Sequence, residues 1–298
     1  MKKGNLRFVI IPKCAHPWAE EVHKGALAQA SLLSEQLGIA VVVDYQAPSV
    51  AGVQEQSSVL DRAAASQPDG IAIDPVEAVD KMPSIQKIRH RGVPIILFDS
   101  PSPAPGMTSV GNDFAQQGTI AAERLVVLIN GGGKVAVMRG FPSAPNHKER
   151  YEAQVAVLKR HTGISIVDGG SDNDDIETAE RQAAAVLGAN PDLRGYLCCD
   201  AAGPIGIAAA VRKAGKAGIV TVVGMDSIRP ILEAVKEGIL ESSAATIPTM
   251  QGSMSILMLW QASLGVPIPQ RIDTGIDLIT PENVDSFLGA ARVLDRAL

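Results

Sequence analysis

Cysteine is nearly absent from this chain. Cys14, Cys198 and Cys199 are the only three in 298 residues. Two are adjacent and no CxxC pair occurs, so neither a disulfide framework nor a zinc site is implied, and the three read as small buried apolar residues. Long hydrophobic runs are missing too: no segment approaches the roughly 18 apolar residues that span a bilayer. The start is basic, but Leu6 to Ile11 is too short for a signal-peptide core and Arg7 interrupts it, which leads to the expectation of either a cytosolic chain or the trimmed form of an exported one. A cationic excess is lacking, with 27 Lys+Arg against 32 Asp+Glu, so bulk charge does not hold nucleic acid. Catalytic signatures are lacking as well. No GxSxG, HExxH or GxGxxG stands in the right context. Asn130-Gly131-Gly132-Gly133-Lys134 precedes a strand and has no Ser or Thr after its lysine, so it reads as a helix stop. Asp172-Asn173-Asp174-Asp175 lacks the glycine and closing glutamate of a calcium loop and reads as a helix N-cap. Without a nucleophile, metal cluster or cofactor grip, no enzyme, cofactor or metal centre is expected.

What the chain does contain is a rhythm: a short apolar run, a turn, a helical stretch, many times over. Leu6 to Ile11, Ile39 to Asp44, Gly70 to Asp74 and Pro94 to Asp99 read as buried strands. Further strands are expected at Lys134 to Met138, Ser165 to Val167, Gly195 to Cys199 and Val220 to Gly224. Helices are expected between them, among them Val50 to Ala65 and Phe114 to Asn130. Continuous apolar strands alternating with helices imply a parallel sheet covered on both faces. His23, His90 and His161 are expected on solvated helix faces, and Trp260 in a core.

The two halves resemble one another. Phe8 and Val135, Asp74 and Asp200, and Asp99 and Asp226 each stand about 127 residues apart. Two similar α/β lobes follow, a period far too long for a solenoid.

Ligands of open parallel sheets sit beyond the carboxyl ends of the strands. Four strands end there in aspartate: Asp74, Asp99, Asp200 and Asp226, two per lobe. If the lobes face each other, four carboxylates line one cleft. Carboxylates accept hydrogen bonds and repel anions, so a neutral polyhydroxyl ligand suits them; a cation is the weaker alternative. The loop after the first strand offers Lys13 and His16 as donors, and Trp18 as an apolar face or a core anchor. Asn146, His147, Lys148 and Arg150 form a second donor group at a helix opening. The Arg150 fork binds either ligand oxygens or a local carboxylate.

These residues, in this order, resemble the type I periplasmic sugar-binding proteins, which include ribose and galactose binders and the ligand-binding half of lactose-repressor-like regulators. The resemblance rests on His16-Pro17-Trp18, Pro68 to Asp74, Gly92 to Asp99, Glu149-Arg150, Val222 to Asp226 and Ile279 to Val284, and it covers nearly the whole chain. It implies two doubly wound parallel-sheet lobes joined by a three-strand hinge: residues 1–110 with 249–274, and 111–248 with 275–298. It implies sugar-hydroxyl binding by Asp99, with Ser100 beside it, and by Arg150 and Asp226. Asp74 and Asp200 stand where the family often carries Asn or Asp, His16 stands where an asparagine is common, and Thr249 or Gln251 stands where it carries a glutamine. The family's aromatic pair is reduced to Trp18, and the aromatic expected near Asp172 is absent, which points to a pentose or sugar alcohol rather than a stacked pyranose. Also implied are a membrane permease of an ABC importer as partner, a monomer, no nucleic-acid partner, and a periplasmic location. The alternatives are a sensing domain of a receptor or regulator, or a binder of a furanosyl quorum signal, the last resting on Lys13. For a repressor, the five residues before Leu6 leave no room for a helix-turn-helix.

Overall fold

A computed structural model describes residues 4–297, with side chains up to residue 290 and Ala78 excepted. The chain divides into two compact units. The first takes residues 4–112 and Pro248–Thr274; the second takes Asp113–Ile247 and Gly275–Asp295.

The first unit begins β1 (Leu6–Ile11), α1 (Pro17–Leu37), β2 (Val41–Tyr45), α2 (Val53–Ala65), β3 (Gly70–Ile73), α3 (Ala78–His90), β4 (Ile95–Phe98) and β5 (Ser109–Gly111). The second follows with α4 (Phe114–Leu128), β6 (Gly133–Arg139), α5 (Pro145–Leu158), β7 (Ile164–Ser171), α6 (Ile176–Ala189), β8 (Leu193–Leu197), α7 (Ala202–Lys213), β9 (Thr221–Met225), α8 (Arg229–Lys236) and β10 (Ser242–Ala245). The chain returns to the first unit for α9 (Pro248–Ser263) and β11 (Arg271–Asp273), then closes the second with β12 (Asp277–Ile279) and α10 (Val284–Ala297).

Each unit holds one six-stranded sheet. The orders are β11-β5-β4-β3-β1-β2 and β12-β10-β9-β8-β6-β7. All pairings are parallel except β10 with β12. Alternation along the strands explains why both faces need helices. Val9 and Ile11, Ile71 and Ile73, and Ile95 and Leu97 share one face and pack on Val59, Leu60, Ile85 and Ile88 of α2 and α3. Phe8, Ile10, Ala72, Ile96 and Phe98 point the other way and are also buried, on the side where α9 packs against β3 and β4. Apart from Arg7 near the start of β1, nothing polar interrupts these strands, which is why they read as apolar runs.

Helix α1 pairs with α9 at very short range. A Cβ on Gly252 would stand 1.8 Å from the carbonyl oxygen of Val22, and one on Gly25 would stand 1.9 Å from that of Thr249. The two glycines let the helix backbones touch. Gly252→Ala must push the helices apart, and a loss of about 1–3 kcal/mol is expected from overpacking, measured as a lower denaturation midpoint with unchanged secondary structure by circular dichroism.

Several expectations are corrected. The strand expected at 165–167 is β7, which extends to Ser171. The α2 helix begins at Val53 because Gly52 precedes it in extended conformation, leaving Val50 exposed in the loop. His161 follows α5 rather than lying on a helix, and His23 is half-buried, its ring stacked on Tyr45 at 4.6 Å. Desolvation holds the His23 imidazole below its usual pKa and helps push the Tyr45 phenol up to about 12, so both stay neutral near pH 7. Trp260 is half-buried on α9 rather than in the core. The short strands β5, β10, β11 and β12 carry Ser, Ala, Gly and charged residues instead of branched apolar runs, so their periodicity gave no signal.

Candidate functional site

The strand orders determine where a ligand goes. In the first sheet the order in which strands are added reverses between β1 and β3, with β2 on one side and β3 to β5 on the other; in the second it reverses between β6 and β8. The loops leaving those strands at their carboxyl ends diverge to opposite faces, opening a crevice at each switch point. Lys13 and His16 leave β1 and Asp74 leaves β3; the loop from β6 leads to Asn146, and Asp200 leaves β8.

In the first unit the sequence-expected residues converge. Lys13 Nζ donates to Asp74 Oδ2 at 2.5 Å and lies 3.8 Å from Asp99 Oδ2. All three are almost wholly buried. Gln251 Nε2 donates to Asp99 Oδ1 at 3.4 Å, so α9 places Gln251, rather than Thr249, against the carboxylate. Thr249 instead brings its backbone against Gly25 of α1. Gln56 clamps the two loops, donating to the carbonyls of Pro12 at 3.0 Å and Asp74 at 2.7 Å while accepting from Val76 N–H at 3.0 Å. His16 N-caps α1, its Nδ1 accepting from Trp18 N–H at 3.1 Å. The proton of the neutral ring therefore sits on Nε2, a buried atom with no hydrogen-bond partner among the described residues. Trp18 is buried in the first turn of α1. Ser100 is fully buried, and its carbonyl accepts from Ser109 Oγ at 2.5 Å.

The second unit repeats the plan. Asp226 Oδ1 accepts from Thr246 Oγ1 at 2.5 Å, and the Asp226 carbonyl accepts from Ser243 Oγ at 2.7 Å. Arg150, 2% exposed, is held from three sides. Its Nε donates to Gln117 Oε1 at 2.7 Å, a terminal nitrogen donates to the Cys199 carbonyl at 3.3 Å, and its guanidinium lies 5.0 Å over the Phe114 ring. Gln117 passes the restraint on, donating to the Ala244 carbonyl at 2.9 Å. Asn146 caps its own neighbour, Oδ1 accepting from His147 N–H at 3.0 Å, while His147 Nδ1 accepts from Phe141 N–H at 2.9 Å. Asp200 Oδ1 accepts from Gly203 N–H at 2.8 Å, in the first turn of α7. Burial pushes the Cys198 and Cys199 thiols well up, so they stay protonated and unreactive.

Asp99 and Asp226 share a backbone peculiarity. Their φ angles are +43° and +70°, in the left-handed region that favours glycine. Both end a central strand of their sheet, and both keep a carboxylate where glycine would be less strained. Such strain persists where the side chain has a task.

Sequence reasoning missed Asp172, Gln56, Gln117 and Gln154. The acidic run after β7 reads as a helix cap, and Asp175 indeed caps α6, accepting from Thr178 N–H at 2.8 Å. Asp172 does something else: it is 0% exposed, on the same sheet edge as Asp200. Its place directly after a strand, as with the four strand-end aspartates, was the available signal.

Comparison with known proteins supplies the family. A family model for the periplasmic binding protein domain matches residues 8–265. The chain belongs to the type I periplasmic sugar-binding proteins. It is 25% identical to the D-ribose/D-allose-binding protein of Pseudomonas aeruginosa, over 76% of this chain and 74% of that one. It is 22% identical to the D-allose-binding periplasmic protein of Escherichia coli, over 85% and 83%. Among solved structures, a solute-binding protein of an ABC transporter from Burkholderia graminis, in complex with D-arabinose, superposes with a TM-score of 0.88 at 25% identity, covering 96% of this chain and 99% of that one. These relatives are named as sugar-binding and transport proteins, not as enzymes. No helix among the described residues is long and apolar enough to cross a membrane.

Proposed function

We propose that this protein captures a neutral polyhydroxyl ligand, a pentose or sugar alcohol, and delivers it to the membrane permease of an ABC importer from the periplasm. The observation carrying the proposal is the repeated strand-end carboxylate in left-handed backbone, Asp99 in one unit and Asp226 in the other. Each carboxylate can take two vicinal hydroxyls. Arg150 and His16 Nε2 supply donors, so a sugar hydroxyl finds both kinds of partner. On this reading the ligand is captured by hinge closure, the mode that the family resemblance implies. No chemical step is needed, and the protein acts as a monomer without nucleic acid or cofactor.

The relatives support the ligand class. Besides the ribose/allose and allose binders, a xylose/arabinose-binding protein of Sulfolobus acidocaldarius is 25% identical over 75% of this chain and 60% of that one, and a xylitol-binding protein of Mycolicibacterium smegmatis is 21% identical over 78% and 67%. The weakness of aromatic stacking, with Trp18 buried in its helix and Asp172 where a second ring is expected, favours hydrogen bonding over ring sandwiching.

A thermal-shift screen of D-ribose, D-arabinose, D-xylose, D-allose and xylitol tests the assignment. A ligand at a hundred times its dissociation constant adds about 2.7 kcal/mol to stability, a rise of several degrees in melting temperature. Flat melting temperatures across the panel contradict it.

A further inference from the structure

We propose that Asp172 is a positioning residue that shares a single proton with Asp200, so that this pair enters ligand binding as a hydrogen-bonded acid and carboxylate rather than as two anions. The inference rests on the sugar-binding reading for its effect on affinity, but not for the proton itself.

The geometry comes from two loops on one sheet edge. Asp172 follows β7 and Asp200 follows β8. Both are buried, at 0% and 1% exposure. Gly203 lets them close on the same point: a Cβ there would stand 3.0 Å from Asp200 Oδ1 and 3.2 Å from Asp172 Oδ2. Gly140 does the same from β6, since a Cβ there would stand 2.3 Å from Asp200 Oδ2. Asp172 Oδ1 accepts from Asp174 N–H at 2.9 Å. Asp172 Oδ2 has no hydrogen-bond donor among the described residues, although it is wholly buried. The Asp200 side chain is within hydrogen-bond reach of the Asp172 carboxyl. Two carboxylates cannot hydrogen-bond; an acid and a carboxylate can, and a proton between them satisfies the orphaned oxygen.

The surroundings favour keeping that proton. Burial, then the neighbouring Asp200 charge, push the Asp172 carboxyl well above the usual carboxylate range. Asp174 on its own loop adds negative charge. From the adjacent strands come the Cys198 and Cys199 thiols and the Tyr196 phenol, all pushed up and neutral. From α5 come His147, its Nδ1 already accepting a hydrogen bond, and Arg150, held by Gln117 and the Cys199 carbonyl.

The consequence is a fixed rotamer for Asp200 while the proton is held, and its loss once pH rises through the raised folded value. An acid whose folded pKa is raised contributes stability that is present at low pH and is lost as pH rises through the folded value. Above that point two buried anions repel, and Asp200 leaves its place.

The test begins on the ligand-free protein. Its infrared spectrum at pH 7 is expected to contain the C=O stretch of a buried protonated carboxyl that shifts in D2O, fades at alkaline pH and is absent in Asp172→Asn. The melting temperature of the wild type is expected to fall more steeply from pH 7 to pH 9 than that of Asp172→Asn, whose amide donates to Asp200 without titrating. No such band, or a band that survives in Asp172→Asn, overturns the inference whatever the protein binds. Calorimetry with D-ribose, D-arabinose and xylitol then reads the effect on capture. Affinity for whichever binds is expected to drop about tenfold per pH unit beyond the transition in the wild type and to stay flat in Asp172→Asn. If none of the three binds, the sugar assignment fails while the infrared result still decides the shared proton. Parallel pH profiles for the two proteins refute the positioning role.

Discussion

Asp99→Ala and Asp226→Ala are each expected to weaken sugar binding by at least a hundredfold while leaving the fold intact. A charged acceptor hydrogen-bonding to a ligand hydroxyl contributes about 1.5–3 kcal/mol per bond, and each carboxylate is placed to take two. Truncation removes both bonds and leaves the ligand hydroxyls desolvated without acceptors. In the folded protein alone the loss is smaller, because Asp99 keeps a long 3.4 Å bond from Gln251 and Asp226 a 2.5 Å bond from Thr246. The left-handed backbone sharpens the expectation. Asp99→Gly and Asp226→Gly relieve φ angles of +43° and +70°, so they are expected to be at least as stable as the wild type yet equally deficient in binding. Isothermal titration with the tightest sugar from the screen, beside a denaturation curve for each variant, separates the two effects. Retained affinity in either alanine variant removes that residue from the site.

The second large effect falls on stability. Lys13→Met leaves Asp74 and Asp99 as buried carboxylates beside one another without the ammonium that stands 2.5 Å and 3.8 Å from them. Breaking a buried pair by removing one partner costs about 3–5 kcal/mol, most of it the uncompensated charge. Both partners are about 5% exposed at the side chain, so solvent screens little of this. Urea denaturation is expected to show the loss at pH 7. The double variant Lys13→Met, Asp74→Asn is expected to recover much of it, since the remaining amide carries no charge. A single-variant loss below about 1 kcal/mol, or no recovery in the double variant, contradicts the reading of Lys13 as the counter-ion of this site.

The repeated architecture was legible because both sheets are buried on both faces. Runs such as Phe8 to Ile11 and Ile95 to Phe98 admit no polar residue, and the landmarks they end in recur at a constant spacing. The strand-end aspartates were legible for the same reason: a charged residue at the end of such a run has nowhere to go but the sheet edge. Less legible was anything decided by packing across the sequence. Whether Thr249 or Gln251 meets Asp99 depends on the rotation of α9, and that is fixed by the close approach of Gly25 and Gly252, not by a local pattern. Lys13 was visible as a donor, but its partner, 61 residues away, follows from β1 lying beside β3. Asp172 was hidden inside a run of acidic residues whose last member, Asp175, really is a helix cap. His23 read as a solvated helix position because Tyr45, which covers it, sits on a neighbouring strand. The glutamines Gln56, Gln117 and Gln154 carry no motif at all; their roles come from long-range partners, among them carbonyls at 2.6–3.0 Å and the Arg150 guanidinium.

A crystal structure of the protein with the tightest-binding pentose or polyol from the screen is the most direct measurement of all. The account predicts one sugar molecule with hydroxyl oxygens within hydrogen-bond distance of both the Asp99 and the Asp226 carboxylates. A sugar held at any other place, or one touching neither aspartate, would contradict it.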